Sequence, residues 1–555
     1  MHGAPRPEWP GYRSGVHEVG VVVPSTNAIR FARVSARSAA VLTMLGVLAA
    51  FAVTITLIAT RSGPLLSPDS VTYVSLARNL ASGRGYVDLT GQPNTTFAPG
   101  LPAILAAASS LGVSIATASR AVNAASFVAL VALGYCLLVR HTRSLVLSFL
   151  ATAFILASPA MLDVTDHLWS EMLFSALVLV FVLALEEAAR RSREEGDLRW
   201  ELTAGAIAGL ACLVRYAGFP LVLVGFVCTA ATPGTPRTRV RRSAAFLATA
   251  VPLPLLWTAR NAASGARYLL GPRTPSPLGV ARILDQFVHS SSDMFVRGLT
   301  AQRAWWALAI AALAIGLAVS AWFQQRAAGR SDDRPSPLPL VAFVVVYSVA
   351  VIVSGKTAGS SVDTRIVMPI LVPIVVLVAR QVSAIGTAIQ RGSRAWVRPV
   401  FAALACVAVV ALVVDGDRTV RDAWNTGRAP RGYATDTLAV SPLARAVEAR
   451  VGADETVTTN SPWTLYSATG HVPIVPMPGP LYPSASLVPL TSAELATEAC
   501  RHPAYFALYT TRGKQVAPEL VTHFGLRAVA VEADGVLYRM IPRKGPCVAG
   551  PNGAP

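Results

Sequence analysis

Charge is scarce in this chain. Of its 555 residues only 14% are Asp, Glu, Lys or Arg, while 53% are hydrophobic. Soluble domains carry about a quarter charged residues, so a string of three or four soluble domains is excluded. A mean hydropathy of +0.50 agrees, and the chain reads as an integral membrane protein. The formal charge is +18, yet no basic patch interleaved with aromatics occurs, so no nucleic-acid partner is expected. Cysteine is sparse as well: Cys136, Cys212, Cys228 and Cys406 fall in apolar runs without metal-ligand spacing and read as inert buried thiols. Only Cys500 and Cys547 lie in a polar region, where an oxidising compartment would allow them to pair. Histidines at HxH or HxxxH spacing are missing around the acids discussed below, so a histidine-built metal site is not indicated. Lys356 in SGKT lacks the spacing and preceding strand of a phosphate-binding loop. No sustained repeat appears, which weighs against a transporter made of inverted halves.

What is present is a succession of apolar runs. The first, at about 39–60, is too long for a signal-peptide core and follows Arg30, Arg33 and Arg37, so it should stay as a helix with its N-terminus inside. Further runs lie near 117–139, 144–161, 169–189, 202–214, 217–231, 243–259, 303–324, 337–354, 366–381 and 398–415, giving about eleven spans. The pair flanking Arg215 also reads as one long broken helix, which would invert everything downstream. With eleven spans, the clusters Arg140/Arg143, Arg190/Arg191/Arg193, Arg237 to Arg242, Arg326/Arg330/Arg334 and Arg391/Arg394/Arg398 all fall on the N-terminal side. Residues 99–112 are too short to cross and read as a helix lying in the outer interface. From about 416 the composition turns to acids, prolines and β-branched patches such as ETVTTN (455–460) and RAVAVEA (527–533). The expected architecture is therefore an α-helical polytopic membrane protein with a small C-terminal extracytoplasmic α/β domain. Its parts are a basic cytoplasmic tail (1–38), a transmembrane region (39–415) with a first outer loop (61–116), and the outer domain (416–555). The Ala, Arg and Val bias suggests a GC-rich bacterial source, and the sequon at Asn94 is a weak glycosylation signal.

The chemistry gathers on the outer side. The first loop reads SPDSVTYVSLARNLASGRGY (67–86), with Asp69 followed at helical spacing by Tyr73, and with Arg78 behind. Asp69 is placed to take a proton from an acceptor hydroxyl; equally, Ser67 or Asp69 caps a helix through Leu80, and both roles can coexist. The next outer loop, LDVTDHLWSE (162–171), packs Asp163, Asp166, His167 and Glu171 into ten residues. Glu171 opens a span, where an unpaired carboxylate is expensive and so a functional candidate, although a helix N-terminus also favours an acid. His167 is either a pH-tuned partner or simply solvated. Arg215, Arg260 with Asn261 beside it, and Arg365 share that side; they suit phosphate oxygens, or serve as snorkelling anchors.

In these residues the chain resembles the membrane glycosyltransferases of the GT-C superfamily, in the branch of protein O-mannosyltransferases and aminoarabinose transferases. The resemblance covers roughly residues 40–480 and rests on the first-loop acid, TFAPGLPAI (96–104), WSEMLF (169–174), WTARN (257–261), VDTRIVMP (362–369) and TNSPWTLYSATGH (459–471). It implies a bundle of about a dozen helices with a catalytic cavity between the first outer loop and the membrane. It further implies a polyprenyl-phosphate sugar as donor and inversion at the anomeric carbon. Carried over, Asp69 is the base, Glu171 a second acid shaping the acceptor site, and Arg260 and Arg365 candidates for the donor phosphate. Two departures leave the acceptor class and any metal requirement open: Ser70 follows Asp69 where many relatives have a second acid, and position 171 is Glu rather than Asp.

The expected function is transfer of a sugar from a polyprenyl-phosphate donor to an envelope glycan, lipid or protein acceptor at the outer face of the plasma membrane. No cofactor beyond that donor is expected, and membrane lipid is the other partner. Asp69 and Glu171 are the catalytic candidates; Tyr73, Arg78, Asp166, His167, Arg215, Arg260, Asn261 and Arg365 are the substrate-binding candidates. The alternatives are a transporter or flippase of a lipid-linked or anionic substrate, which predicts charges near mid-span, and an inactive scaffold whose tail binds a partner.

Overall fold

The computed structural model describes residues 26–191, 197–265, 269–271, 275–295, 305, 316, 334–359, 362–392, 397–433, 441–453, 455–470, 473–477, 487, 491, 494–495, 504–510 and 524–540. Helix α1 spans Thr26–Ala59, and α2 (Pro68–Ala81) and α3 (Gly100–Ser110) lie on the segment that follows. Then come α4 (Ile115–Thr142), α5 (Leu145–Leu156), α6 (Pro159–Asp166) and α7 (Glu171–Arg190). After these run α8 (Arg199–Val214), α9 (Phe219–Ala230), α10 (Pro236–Ala250), α11 (Pro252–Ala263) and α12 (Val280–Asp293). The remaining bundle helices are α13 (Leu338–Thr357), α14 (Thr364–Val367), α15 (Leu371–Gly392) and α16 (Val397–Thr426).

Five described helical segments are long and apolar enough to cross a membrane: Ser38–Ala59, Ile115–Thr142, Glu171–Arg190, Leu338–Thr357 and Thr364–Thr387. A sixth arises if α5 and α6, bent by 54°, make one broken span. The apolar runs at 202–214, 217–231 and 243–259 form helices of 12 to 16 residues. Apart from residues 305 and 316, the run at 303–324 lies outside the described residues, as do Cys500 and Cys547.

The break at Arg215 is a reversal. Arg215 is extended (φ −150°, ψ 140°) and leads into a single 3-10 turn at Tyr216–Gly218. Gly205 and Gly225, each ten residues from Arg215, both press on Phe246 of α10: a Cβ on Gly205 would lie 2.2 Å from the Phe246 carbonyl oxygen, and one on Gly225 2.1 Å from its ring. Only a hairpin brings both positions to one residue, and only glycine leaves room for so close an approach.

The C-terminal part adds α17 (Pro442–Arg450), α18 (Pro462–Thr469) and a five-stranded sheet. Its strands are β1 (Thr456–Thr459), β2 (Ile474–Pro476), β3 (Ala504–Tyr509), β4 (Leu526–Glu532) and β5 (Gly535–Met540), in the order β2-β1-β3-β5-β4. The β-branched patches singled out in the sequence are β1 and β4. β1 runs parallel to β2 and β3, and β5 antiparallel to β3 and β4. Val71 of α2 and Leu89 of the following loop sit in one hydrophobic core with Leu443, Val447, Val457, Trp463 and Leu537. The sheet thus buries the back of the helix that carries Asp69, and Trp463 Nε1 donates to Thr72 Oγ1 (3.2 Å).

Candidate active site

α2 begins because Ser67, with its side chain accepting from the Ser70 amide, caps it and Pro68 occupies the first turn, where a missing N–H costs nothing. The cap role is therefore taken by Ser67, and the Asp69 carboxylate is free to point elsewhere. Its Oδ2 accepts from Arg365 Nη1 at 2.7 Å. Arg365 is the second residue of α14, whose cap Asp363 accepts from the Ile366 amide (3.1 Å) and, through Oδ2, from Arg365 Nε (3.3 Å).

Glu171 opens α7 and is 1% exposed. Its Oε1 lies 2.6 Å from Arg215 Nη1 and 3.9 Å from Arg365 Nη1. Ser170, at the α7 N-cap, makes no capping bond; its hydroxyl accepts from Arg215 Nη1 (3.1 Å) and bonds the Tyr73 hydroxyl (3.0 Å). Burial raises the Tyr73 pKa above the ordinary phenol value, with nearby Arg215 opposing, so this hydroxyl stays protonated. Trp169 completes the wall: the Arg365 guanidinium sits 4.7 Å over its ring, and its Nε1 donates to Ser67 Oγ at 2.8 Å.

These groups border a cavity of about 480 Å³, where Asp69, Tyr73, Trp169, Glu171, Arg215 and Arg365 meet an apolar side that includes Tyr347 and Val351 of α13. Two carboxylates and two guanidiniums face it, so its lining carries no net charge when all four are ionised. An acid and an arginine in contact at the edge of a cavity suit proton removal on one side and anion stabilisation on the other.

The other candidate residues lie elsewhere. Arg260 is not part of the cavity lining; its guanidinium is bracketed by Tyr86 (5.5 Å) and Trp257 (5.0 Å) and donates to the Tyr86 carbonyl (3.3 Å) and Asn261 Oδ1 (3.1 Å). Asn261 is buried and holds the Leu269 carbonyl (2.7 Å). Trp257 connects this group to the cavity wall by donating to the Tyr216 hydroxyl (3.1 Å). Arg78 is exposed and lies 5.9 Å over the Tyr466 ring, on the side of α2 facing the sheet. Asp166 is buried and joins His167 Nδ1 (2.5 Å) to Arg431, while His167 stacks on Trp169 at 3.7 Å. Trp169, Ser170 and Tyr347 were not singled out by sequence reasoning. The first two adjoin Glu171 in the WSE triplet, and Tyr347 is the lone phenol of the run LVAFVVVYSVAV, both readable signals. Among the described residues no group of three metal-ligating side chains occurs.

No protein-family model matches the sequence, and no curated protein matches it. Solved structures do. ArnT from Cupriavidus metallidurans bound to undecaprenyl phosphate superposes with a TM-score of 0.52 at 15% identity, over 89% of this chain and 97% of ArnT. The apo state of that protein gives 0.52 at 15% identity over 91% and 99%. The chain has the fold of these two structures. The mycobacterial arabinofuranosyltransferase AftD shares it, with a TM-score of 0.52 at 17% identity over 89% of this chain and 41% of AftD. In this chain the fold carries Asp69 just after the first long helix and Glu171 at the start of α7, and their side chains share one cavity with Arg215 and Arg365.

Proposed function

We propose that this protein is a multi-pass plasma-membrane glycosyltransferase that moves one sugar from a polyprenyl-phosphate carrier to an acceptor hydroxyl on the outer face. Its N-terminus is then cytoplasmic and its C-terminal sheet extracytoplasmic. The observation that carries the reading is the contact of Asp69 with Arg365 at the edge of the cavity, beside the Glu171–Arg215 pair. Support for the donor class comes from ArnT, a protein of the same fold whose crystal structure holds undecaprenyl phosphate.

In this mechanism the acceptor hydroxyl gives its proton to Asp69 as its oxygen bonds the anomeric carbon. The bond from that carbon to the phosphate oxygen breaks on the opposite face, and its electron pair leaves with the phosphate. The sugar is inverted, and polyprenyl phosphate departs with one more negative charge than it had in the diester. Arg365 and Arg215 meet that developing charge in a site partly shielded from water, where fixed cations act most strongly. Glu171 holds Arg215 in place and shapes the acceptor side, and Tyr73 and Ser170 supply neutral donors. No nucleotide takes part in this scheme.

The test is transfer from a synthetic polyprenyl-phosphate sugar by the purified protein in detergent, compared with Asp69→Asn. Loss of a general base lowers turnover by about 100-fold or more. Unchanged turnover in a folded variant removes Asp69 from the chemistry, and with it this reading.

A further inference from the structure

Asp166 and His167 read from sequence as substrate ligands, but their side chains are committed to the protein itself. The Asp166 carboxylate is 4% exposed and spans two partners, His167 Nδ1 and Arg431, and its carbonyl accepts from the Leu65 amide (2.8 Å). Asn123 fastens the same segment from α4, donating to the Thr165 carbonyl (3.1 Å) and to that of His167 (2.7 Å). The imidazole thus fixed lies nearly parallel to the Trp169 indole, with the planes 20° apart.

Trp169 has three engaged parts. One is the His167 stack, another the Arg365 guanidinium, and the third is Nε1, which donates to Ser67, the cap of the helix carrying Asp69. A rigid ring that contacts Arg365 directly and the helix of Asp69 through its cap Ser67 fixes the distance between the two charged groups. From this geometry we infer that Trp169 is a positioning residue for that pair, and that Asp166, His167 and Arg431 form a strut that holds the indole in place. Arg431 lies between α16 and α17, on the stretch leading from the bundle to the sheet, and Gly432 and Tyr433 beside it pair with Leu66 just before α2. The strut therefore ties the C-terminal part of the chain to the geometry of the cavity, so a change there is felt at Asp69 without any contact to substrate.

The inference rests on the transferase reading for its kinetic arm, so the test has two arms. In the first, Trp169→Leu, Arg431→Gln and the double variant are assayed for transfer. Misplacement by an ångström costs on the order of tenfold to a hundredfold in turnover. The expected result for Trp169→Leu is a fall of that size in kcat, with KM for donor and acceptor changed less than about threefold. Trp169→Phe, which keeps the ring face and loses only the Nε1 donor, should recover part of the loss. Arg431→Gln should lower kcat in the same way, and adding it to Trp169→Leu should cost nothing more, because the strut acts through the indole. Additive losses, or a Trp169→Leu protein that transfers at the wild-type kcat, overturn the inference and leave the transferase reading standing. The second arm is a cryo-EM structure of Trp169→Leu. Arg365 displaced from Asp69 supports the inference, and the pair still in contact overturns it, whatever the protein turns over.

Discussion

Arg365 reaches Asp69 across 296 positions of sequence, Nη1 to Oδ2 at 2.7 Å, while its Nε stays on Asp363. A lysine has no second edge with which to hold both acids. Arg365→Lys should keep the charge, lose the fork, and reduce kcat/KM for the polyprenyl-phosphate donor by about 100-fold. Steady-state transfer assays check this, and activity within threefold of wild type would show that a point charge suffices.

The Glu171–Arg215 pair is almost dry, with side-chain exposures of 2% and 17%. Removing one partner leaves a buried charge, so Arg215→Met should destabilise the protein by about 3 kcal/mol, read as a lower melting temperature in detergent. Glu171→Gln in the same protein should restore more than half of the loss. A double variant no more stable than the single one would show that the carboxylate has another neutralising partner.

Tyr73 gives a milder test. Its hydroxyl bonds Ser170, which Arg215 also holds, and burial keeps the phenol protonated. Tyr73→Phe should cost about 1 kcal/mol of stability and leave the alkaline side of the transfer pH profile unchanged. Loss of an alkaline limb in the variant would mean that the phenol ionises in the working range.

Asp88 predicts a pH dependence of stability. Burial raises its folded-state pKa above the ordinary carboxylate value, although its Oδ1 accepts from the Thr90 amide (2.9 Å) and hydroxyl (2.6 Å). The folded protein therefore holds this proton where the unfolded chain has released it. Its contribution to stability falls as pH rises from the ordinary carboxylate value, near 4, to the raised folded value, and is constant beyond. Asp88→Asn keeps an oxygen for both Thr90 bonds and removes the ionisation. It should raise the melting temperature at pH 7 relative to wild type and have little effect at pH 3.5; equal shifts at both would refute the assignment.

Gly205 probes the fold. With its Cβ position 2.2 Å from the Phe246 carbonyl oxygen, Gly205→Ala must push α8 from α10. Overpacking of this kind costs about 1–3 kcal/mol, measurable by thermal unfolding, and a neutral effect would place the hairpin differently.

Much of this was legible in the sequence and some was not, for identifiable reasons. Hydropathy finds apolar helices but not their neighbours, because lipid tails are as apolar as a protein core. In α13, Val345, Val349 and Val353 are exposed while Tyr347 and Val351 of the same run are buried, and nothing in their chemistry separates the two faces except the one phenol. The acids stood out because charge is costly beside a bilayer, which drew attention to Glu171. Arg215 and Arg365 stood out too, as phosphate ligands, but their pairing with Glu171 and Asp69 did not, since each looks like any arginine at a span end until the chain is folded. His167 and Asp166 show the opposite problem: the sequence displays polar groups on a loop, and only packing reveals that Trp169 and Arg431 have already engaged them. The hairpin at Arg215 left a trace in the two glycines placed symmetrically about it, a pattern that hydropathy averages away.

The meeting of Asp69 with Arg365 also sets a parity rule. Two side chains in contact at one surface of a membrane are separated by an even number of crossings, whatever the length of the individual helices. Between residues 69 and 365 the apolar runs of the sequence number eight if the chain reverses at Arg215 and seven if it passes straight through. If each of these runs is a crossing, the reversal at Arg215 is what returns acid and arginine to the same side, and losing that one turn would place them across the bilayer from each other.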